Sequence, residues 1–124
     1  MKNIFFALVS ILTLSFTSYA QEHSGVVVAS SKTELAASKE NGKYVFQFPE
    51  GISSESVEQT TKYYTHYFNV QFDGSSRKAI VTMVNNDEKS RSVIGRFFVA
   101  NGIEHVNVEG TLVTIGEFFE GYLK

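Results

Sequence analysis

The sequence predicts an α+β fold of one domain, with elements in the order βαββαβ, and three observations predict it. Tyr44, Phe46 and Phe48 alternate with polar or smaller residues, and residues 78 to 84 alternate again, the period of a strand with one buried face. Val57, Thr61, Tyr64 and Phe68, and later Ser90, Ile94, Phe97 and Phe98, recur at helical spacing. Asp73-Gly74-Ser75-Ser76 sits between two strand patterns as a hairpin turn. Right-handed crossovers fold this order into a four-stranded antiparallel sheet with two helices on one face.

The N-terminus reads as an address. Lys2 precedes an apolar run from Ile4 to Phe16, and Ser18-Tyr19-Ala20 puts small residues where a signal peptidase reads. The run is too short to cross a bilayer, which needs about 20 apolar residues, and no later segment is long and apolar enough to do so. Residues 1–20 are therefore expected to be a secretory signal, and the mature chain to be exported, periplasmic or extracellular. Loss of Lys2, the one charged residue among them, moves the formal net charge from -2 to -3. That mildly acidic balance argues against nucleic acid as a partner. The chain has no cysteine, so an exported fold of this size relies on its apolar core instead of disulfides.

Residues 21–42 are small and polar apart from Val26-Val27-Val28. Ser31-Lys32-Thr33-Glu34 fits a capping box for a short helix to about Lys39, stopped by Asn41-Gly42; a loose leader joining signal to domain is the alternative. The domain proper is expected over residues 43–124. Its first strand stops at Pro49-Glu50-Gly51. Ser53 caps the first helix, with Ile52 and Val57 as a hydrophobic staple. Val70 and Phe72 form the second strand and residues 78–84 the third. Asn86 or Asp87 caps the second helix, Asn101-Gly102 ends it, and Val106-Asn107-Val108 is the fourth strand. Residues 111–113 offer a fifth. Thr114-Ile115-Gly116-Glu117 is a capping-box match opening a last helix that carries Phe118, Phe119, Tyr122 and Leu123.

With these elements in place the chain reads as a ferredoxin-like sandwich plus a short C-terminal helix. It resembles the heavy-metal-associated domains of copper chaperones and metal-transport ATPases. Gly51-Ile52-Ser53 lies over that family's Gly-Met-Thr, which places Ser54 and Val57 over its two metal-binding cysteines. Ala100-Asn101-Gly102-Ile103 and Val106-Asn107-Val108 are similar to its second helix end and last strand. The resemblance covers about 65 residues from residue 43, leaving the leader and the C-terminal extension outside. It implies the fold and not the metal site, because Cu(I) selects thiolates and neither Ser54 nor Val57 supplies one.

No other chemistry takes its place. His23, His66 and His105 are far apart and form no pair at helical ligand spacing. There is no Gly-x-Ser-x-Gly elbow, His-Glu-x-x-His, P-loop or dinucleotide fingerprint. Acylphosphatases share the ferredoxin-like fold and use an Arg in the loop after the first strand; residues 49–56 contain neither Arg nor Lys. Glu117 and Glu120 read as a solvated helix edge, and Tyr63, Tyr64, Tyr67 and Phe68 as helix packing with tyrosine rims. No cofactor is expected, and the chain is expected not to be an enzyme.

What remains is surface. If Phe46 and Phe48 face the helices, so do Ala79, Val81 and Met83. Val45, Ile80, Thr82 and Val84 then lie on the other face, which is more apolar than a solvated antiparallel sheet usually is. That face must be covered by the chain or by a partner. With Phe118, Phe119 and Tyr122 of the terminal helix it forms the candidate interaction surface. The sequence thus points to a binding or accessory module with a protein partner. The alternative is a residual transition-metal protein using histidine and carboxylate ligands.

Overall fold

The computed structural model describes residues 25–124. The signal reading over residues 1–20, and His23, lie outside the described residues. The elements are β1 (Val26–Val28), α1 (Lys32–Asn41), β2 (Lys43–Gln47), α2 (Ser54–Thr61) with a 3-10 turn (Lys62–Tyr64), β3 (Phe68–Asp73), β4 (Lys78–Met83), α3 (Glu88–Ala100), β5 (His105–Val108), β6 (Thr111–Thr114), α4 (Ile115–Phe118) and a π-helical turn (Phe119–Leu123).

The fold is α+β, but the sheet differs from the expected one. It has six strands in the order β3-β4-β2-β1-β5-β6 and is mixed, because β1 runs parallel to β5 while its other neighbour, β2, is antiparallel. The three valines of β1 lie between β2 and β5, the two strands that a four-stranded sandwich would have paired directly. A β-branched run suits a strand. The backbones come close at its start, where a Cβ on Gly25 would lie 3.1 Å from the Gly102 carbonyl oxygen. β6 adds the opposite edge by a hairpin in which Glu109 (φ 51) and Gly110 (φ 87) both take the left-handed conformation.

The segment before β2 is a helix. Ser31 caps α1 by accepting from the Glu34 N–H, and Gly42 closes it at φ 77. The second helix is shorter than its apolar spacing predicts. Thr60 and Thr61 turn their hydroxyls back onto the Ser56 and Val57 carbonyls at 2.9 and 2.7 Å, a bonding pattern that competes with helix continuation. Tyr64 therefore sits in the 3-10 turn, and Phe68 opens β3 opposite Met83 instead of ending a helix.

All four helices contribute to a single core on one face of the sheet. Leu35, Val57, Phe97, Phe98 and Phe118 join Val27, Tyr44, Phe46, Val81 and Val106 in one buried cluster. Phe97 is its hub: Phe48, Tyr64, Phe68 and Phe98 all have ring centroids within 6.2 Å of it. Edge-to-face and tilted contacts of this kind add to the burial of the rings themselves.

Candidate functional site

The loop over residues 49–57 is held from inside the fold. Ser53 caps α2 by accepting from the Ser56 N–H at 3.1 Å. Ser54 is half-buried at the start of the helix, and Val57 is fully buried in the core. The loop lacks its own cation, but Arg77 supplies one. Its guanidinium donates to the Pro49 carbonyl at 2.9 Å and to the Ile52 carbonyl, and lies over the Phe72 ring at 5.2 Å. Arg77 takes a left-handed conformation (φ 64) at the end of the hairpin turn. Asp73 begins that turn by accepting from the Ser75 N–H and hydroxyl, both at 2.9 Å. These bonds hold its carboxyl below the usual range. The Arg77 contact leaves no local signal in the sequence, since its partners lie 25 and 28 residues away.

The histidines are not brought together. His66 is exposed in the turn before β3, and His105 sits half-buried in β5 between Val26 and Thr114. Among the described residues no three His, Cys, Asp or Glu side chains form a group able to hold a metal ion.

The predicted interaction residues fall on two opposite sides of the sheet. Val45, Ile80 and Thr82 lie on the face away from the helices, with Val84 exposed just beyond β4. Val28 (44% exposed) and Leu112 (42%) extend that face, interrupted by Gln71, Gln47 and Asn107. Phe118 is instead buried on the helical side, against Phe46 and Phe98. The terminal helix therefore does not cover the apolar sheet face; it completes the helical layer.

Three features seat that helix. Thr114 and Glu117 form a capping box, so Glu117 accepts from the Thr114 N–H at 2.8 Å and its carboxyl is held low. Gly95 lets α4 approach α3, because a Cβ there would lie only 2.9 Å from Ile115 Cγ2. Buried Arg91 ties down the end, donating to the Leu123 carbonyl at 2.5 Å and to the Asn86 carbonyl and side-chain oxygens at 3.0 and 2.9 Å. The nearby Tyr44 hydroxyl is buried with no hydrogen-bond partner, and burial pushes its pKa up to about 12, against an opposing pull from Arg91.

Between α3 and the terminal helix lies an open cleft of about 650 Å³. Gly95, Val99 and Ala100 line it from α3, Ile115, Phe118 and Phe119 from the terminal helix, and Tyr64 also lines it. Arg96 is the sole charged residue lining it, and Val99 is 62% exposed there. The size is in the range of small-molecule sites, which are mostly apolar with few polar groups. In the sequence the cleft leaves one trace, a glycine inside an otherwise good helical pattern. No family model matches the chain, and neither the curated proteins nor the solved structures searched contain a match.

Proposed function

We propose that this chain is an exported, non-enzymatic binding module, a degenerate relative of the heavy-metal-associated domains with a recognition surface in place of the metal site. The order β2-α2-β3-β4-α3-β5, with β2 and β3 both antiparallel to β4, supports a ferredoxin-like core into which β1 is slotted. The observation that carries the binding reading is the apolar cleft between α3 and the terminal helix. Its walls are held by the capping box and by Arg91, so the site is formed before any ligand arrives. A preformed site avoids the ordering cost that weakens flexible binders.

The reading is tested with a neutral fluorescent probe, N-phenyl-1-naphthylamine, titrated into the mature protein. One saturable site is expected. Gly116→Leu should weaken it at least about tenfold, a loss of roughly 1.4 kcal/mol: Gly116 lines the cleft, and a Cβ there meets nothing within 4 Å. Non-saturable binding, or binding indifferent to Gly116→Leu, would remove the cleft as the site. Export is checked separately by the N-terminal residue of the protein recovered outside the cytoplasm, expected to be Gln21.

A further inference from the structure

We infer that the cleft takes an amphipathic carboxylate, an aliphatic body with a single anionic head, and that Arg96 pairs with the head. This deepens the binding reading above and rests on it. The apolar walls supply the driving force for the body. Val99 stands 62% exposed at the cleft, and Ile115 and Phe119 are only half-buried, so large apolar side chains remain in water until something covers them.

The charge pattern selects the head. Arg96 is exposed on α3 at the cleft, and no carboxylate is among the lining residues. The two acidic residues on the facing segment are already engaged within it. Glu117 accepts from the Thr114 N–H at 2.8 Å, and Glu120 pairs with Lys124 Nζ at 3.4 Å. That pair is the one salt bridge among the described residues, so Arg96 has no acidic partner there. Ser92, the other polar side chain of the α3 wall, turns its hydroxyl to the Lys89 carbonyl at 2.5 Å. Recognition of a charged head therefore falls to the guanidinium, the sole charged group of the lining, whose planar fork matches a carboxylate with two parallel hydrogen bonds. A cationic head would meet Arg96 with like charge. A neutral head would gain no ion pair.

The test compares decanoate, decanol and decyltrimethylammonium as competitors of the neutral naphthylamine probe, at low salt and below their aggregation concentrations. Decanoate should displace the probe about two- to fivefold more effectively than decanol, the size of gain expected from a solvent-exposed ion pair. Decyltrimethylammonium should be the weakest. Arg96→Gln should bring decanoate to the level of decanol, Arg96→Lys should retain part of the difference, and added salt should shrink it. Because Arg96 is exposed, Arg96→Gln is expected to fold normally, and an unchanged unfolding midpoint verifies it. Equal displacement by decanoate and decanol, or a preference that survives Arg96→Gln, overturns the anion assignment while leaving the cleft as a binding site. Failure of the probe and all three competitors to bind overturns both. Cleft resonances that shift with protein concentration alone would make the cleft a contact between copies of the chain, which also overturns the inference.

Discussion

The ring of Phe118 meets the ring of Phe46 nearly edge-on, with centroids 6.1 Å apart and planes at 74°. Phe46 lies at the centre of the sheet and Phe118 in the terminal helix, outside the region of family resemblance. A helix of this length has little stability alone in water, so the contact explains why it is formed. Phe118 is 1% exposed and Leu123 1%. Phe118→Ala should cost about 3–5 kcal/mol. Deleting residues 114–124 should be worse, since it uncovers Phe46 and Phe98 and leaves the Arg91 guanidinium without the Leu123 carbonyl. Urea melts and light scattering check both, and a truncated monomer with an unchanged midpoint would refute the packing.

Neighbouring residues on β2 should behave oppositely. Phe46 is fully buried among Tyr44, Phe98 and Phe118, so Phe46→Ala is expected to lose about 3–5 kcal/mol. Val45, one residue before it, points away from the helices and is 39% exposed. Val45→Thr should change the unfolding free energy by less than about 1 kcal/mol. Denaturant midpoints for the two variants decide the matter. A large loss at Val45 with none at Phe46 would mean that the strand presents its other face to the core.

Gly95 sets the spacing between α3 and α4. Alanine would ordinarily stabilise a helix interior by about 0.5–1 kcal/mol relative to glycine. Here its Cβ would lie 2.9 Å from Ile115 Cγ2, so the Ile115 side chain or the helix that carries it must shift. Gly95→Ala should therefore lower the melting temperature despite its better propensity, and adding Ile115→Ala should restore part of the loss. Calorimetric melting of the two single variants and the double variant reads the coupling directly. Additive effects would show that the close approach does not exist.

Much of the helical layer was legible because its signals are local. The stripe Ser90, Ile94, Phe97 and Phe98 is buried as its spacing predicted, and Ser53, Asp87 and Thr114 act as caps. Three things were not legible, each because it depends on partners distant in sequence. Val26 to Val28 is a uniform apolar run with no alternation, so nothing in it specifies insertion between β2 and β5. Phe68 continues a helical spacing, but its pairing with Met83 places it in a strand. The cleft is lined from both α3 and the terminal helix, and the close approach of Gly95 to Ile115 within it is written in neither segment alone.

Tyr44 makes stability sensitive to alkaline pH. Its hydroxyl is buried without a partner and its pKa is raised from 10.0 to about 12, chiefly by desolvation. Between those values the unfolded chain gives up the proton and the folded chain keeps it. Stability from this group is therefore complete below pH 10 and declines as pH rises toward 12, by at most about 1.4 kcal/mol per pH unit. Tyr44→Phe should remove that decline and leave stability at neutral pH unchanged or higher, because it deletes an unsatisfied buried hydroxyl. Urea melts from pH 8 to 11.5 check it; equal slopes for the two proteins would show that the hydroxyl is hydrated.

The family reading is open to a direct test at Ser54 and Val57. The natural chain has no thiol, so no one-to-one Cu(I) complex of sub-micromolar affinity is expected from it. The two positions are three apart in the first turn of α2, where side chains at that spacing are neighbours on one face of a helix. Two thiolates there can share one soft ion. Val57 is fully buried, so the sulfur of a cysteine there must be drawn toward the loop, and metal uptake should raise the melting temperature to the extent that the folded form holds the ion more tightly than the unfolded one. The double variant Ser54→Cys, Val57→Cys is expected to take up one Cu(I), measured by competition with a chromophoric chelator, with a matching rise in melting temperature. Each single variant should bind at least about a hundredfold more weakly, a difference of roughly 2.7 kcal/mol. Uptake by the natural chain would contradict the loss of the site. A folded double variant that takes up no Cu(I) would count against the alignment of this loop with the heavy-metal-associated domains, and with it against the proposed ancestry.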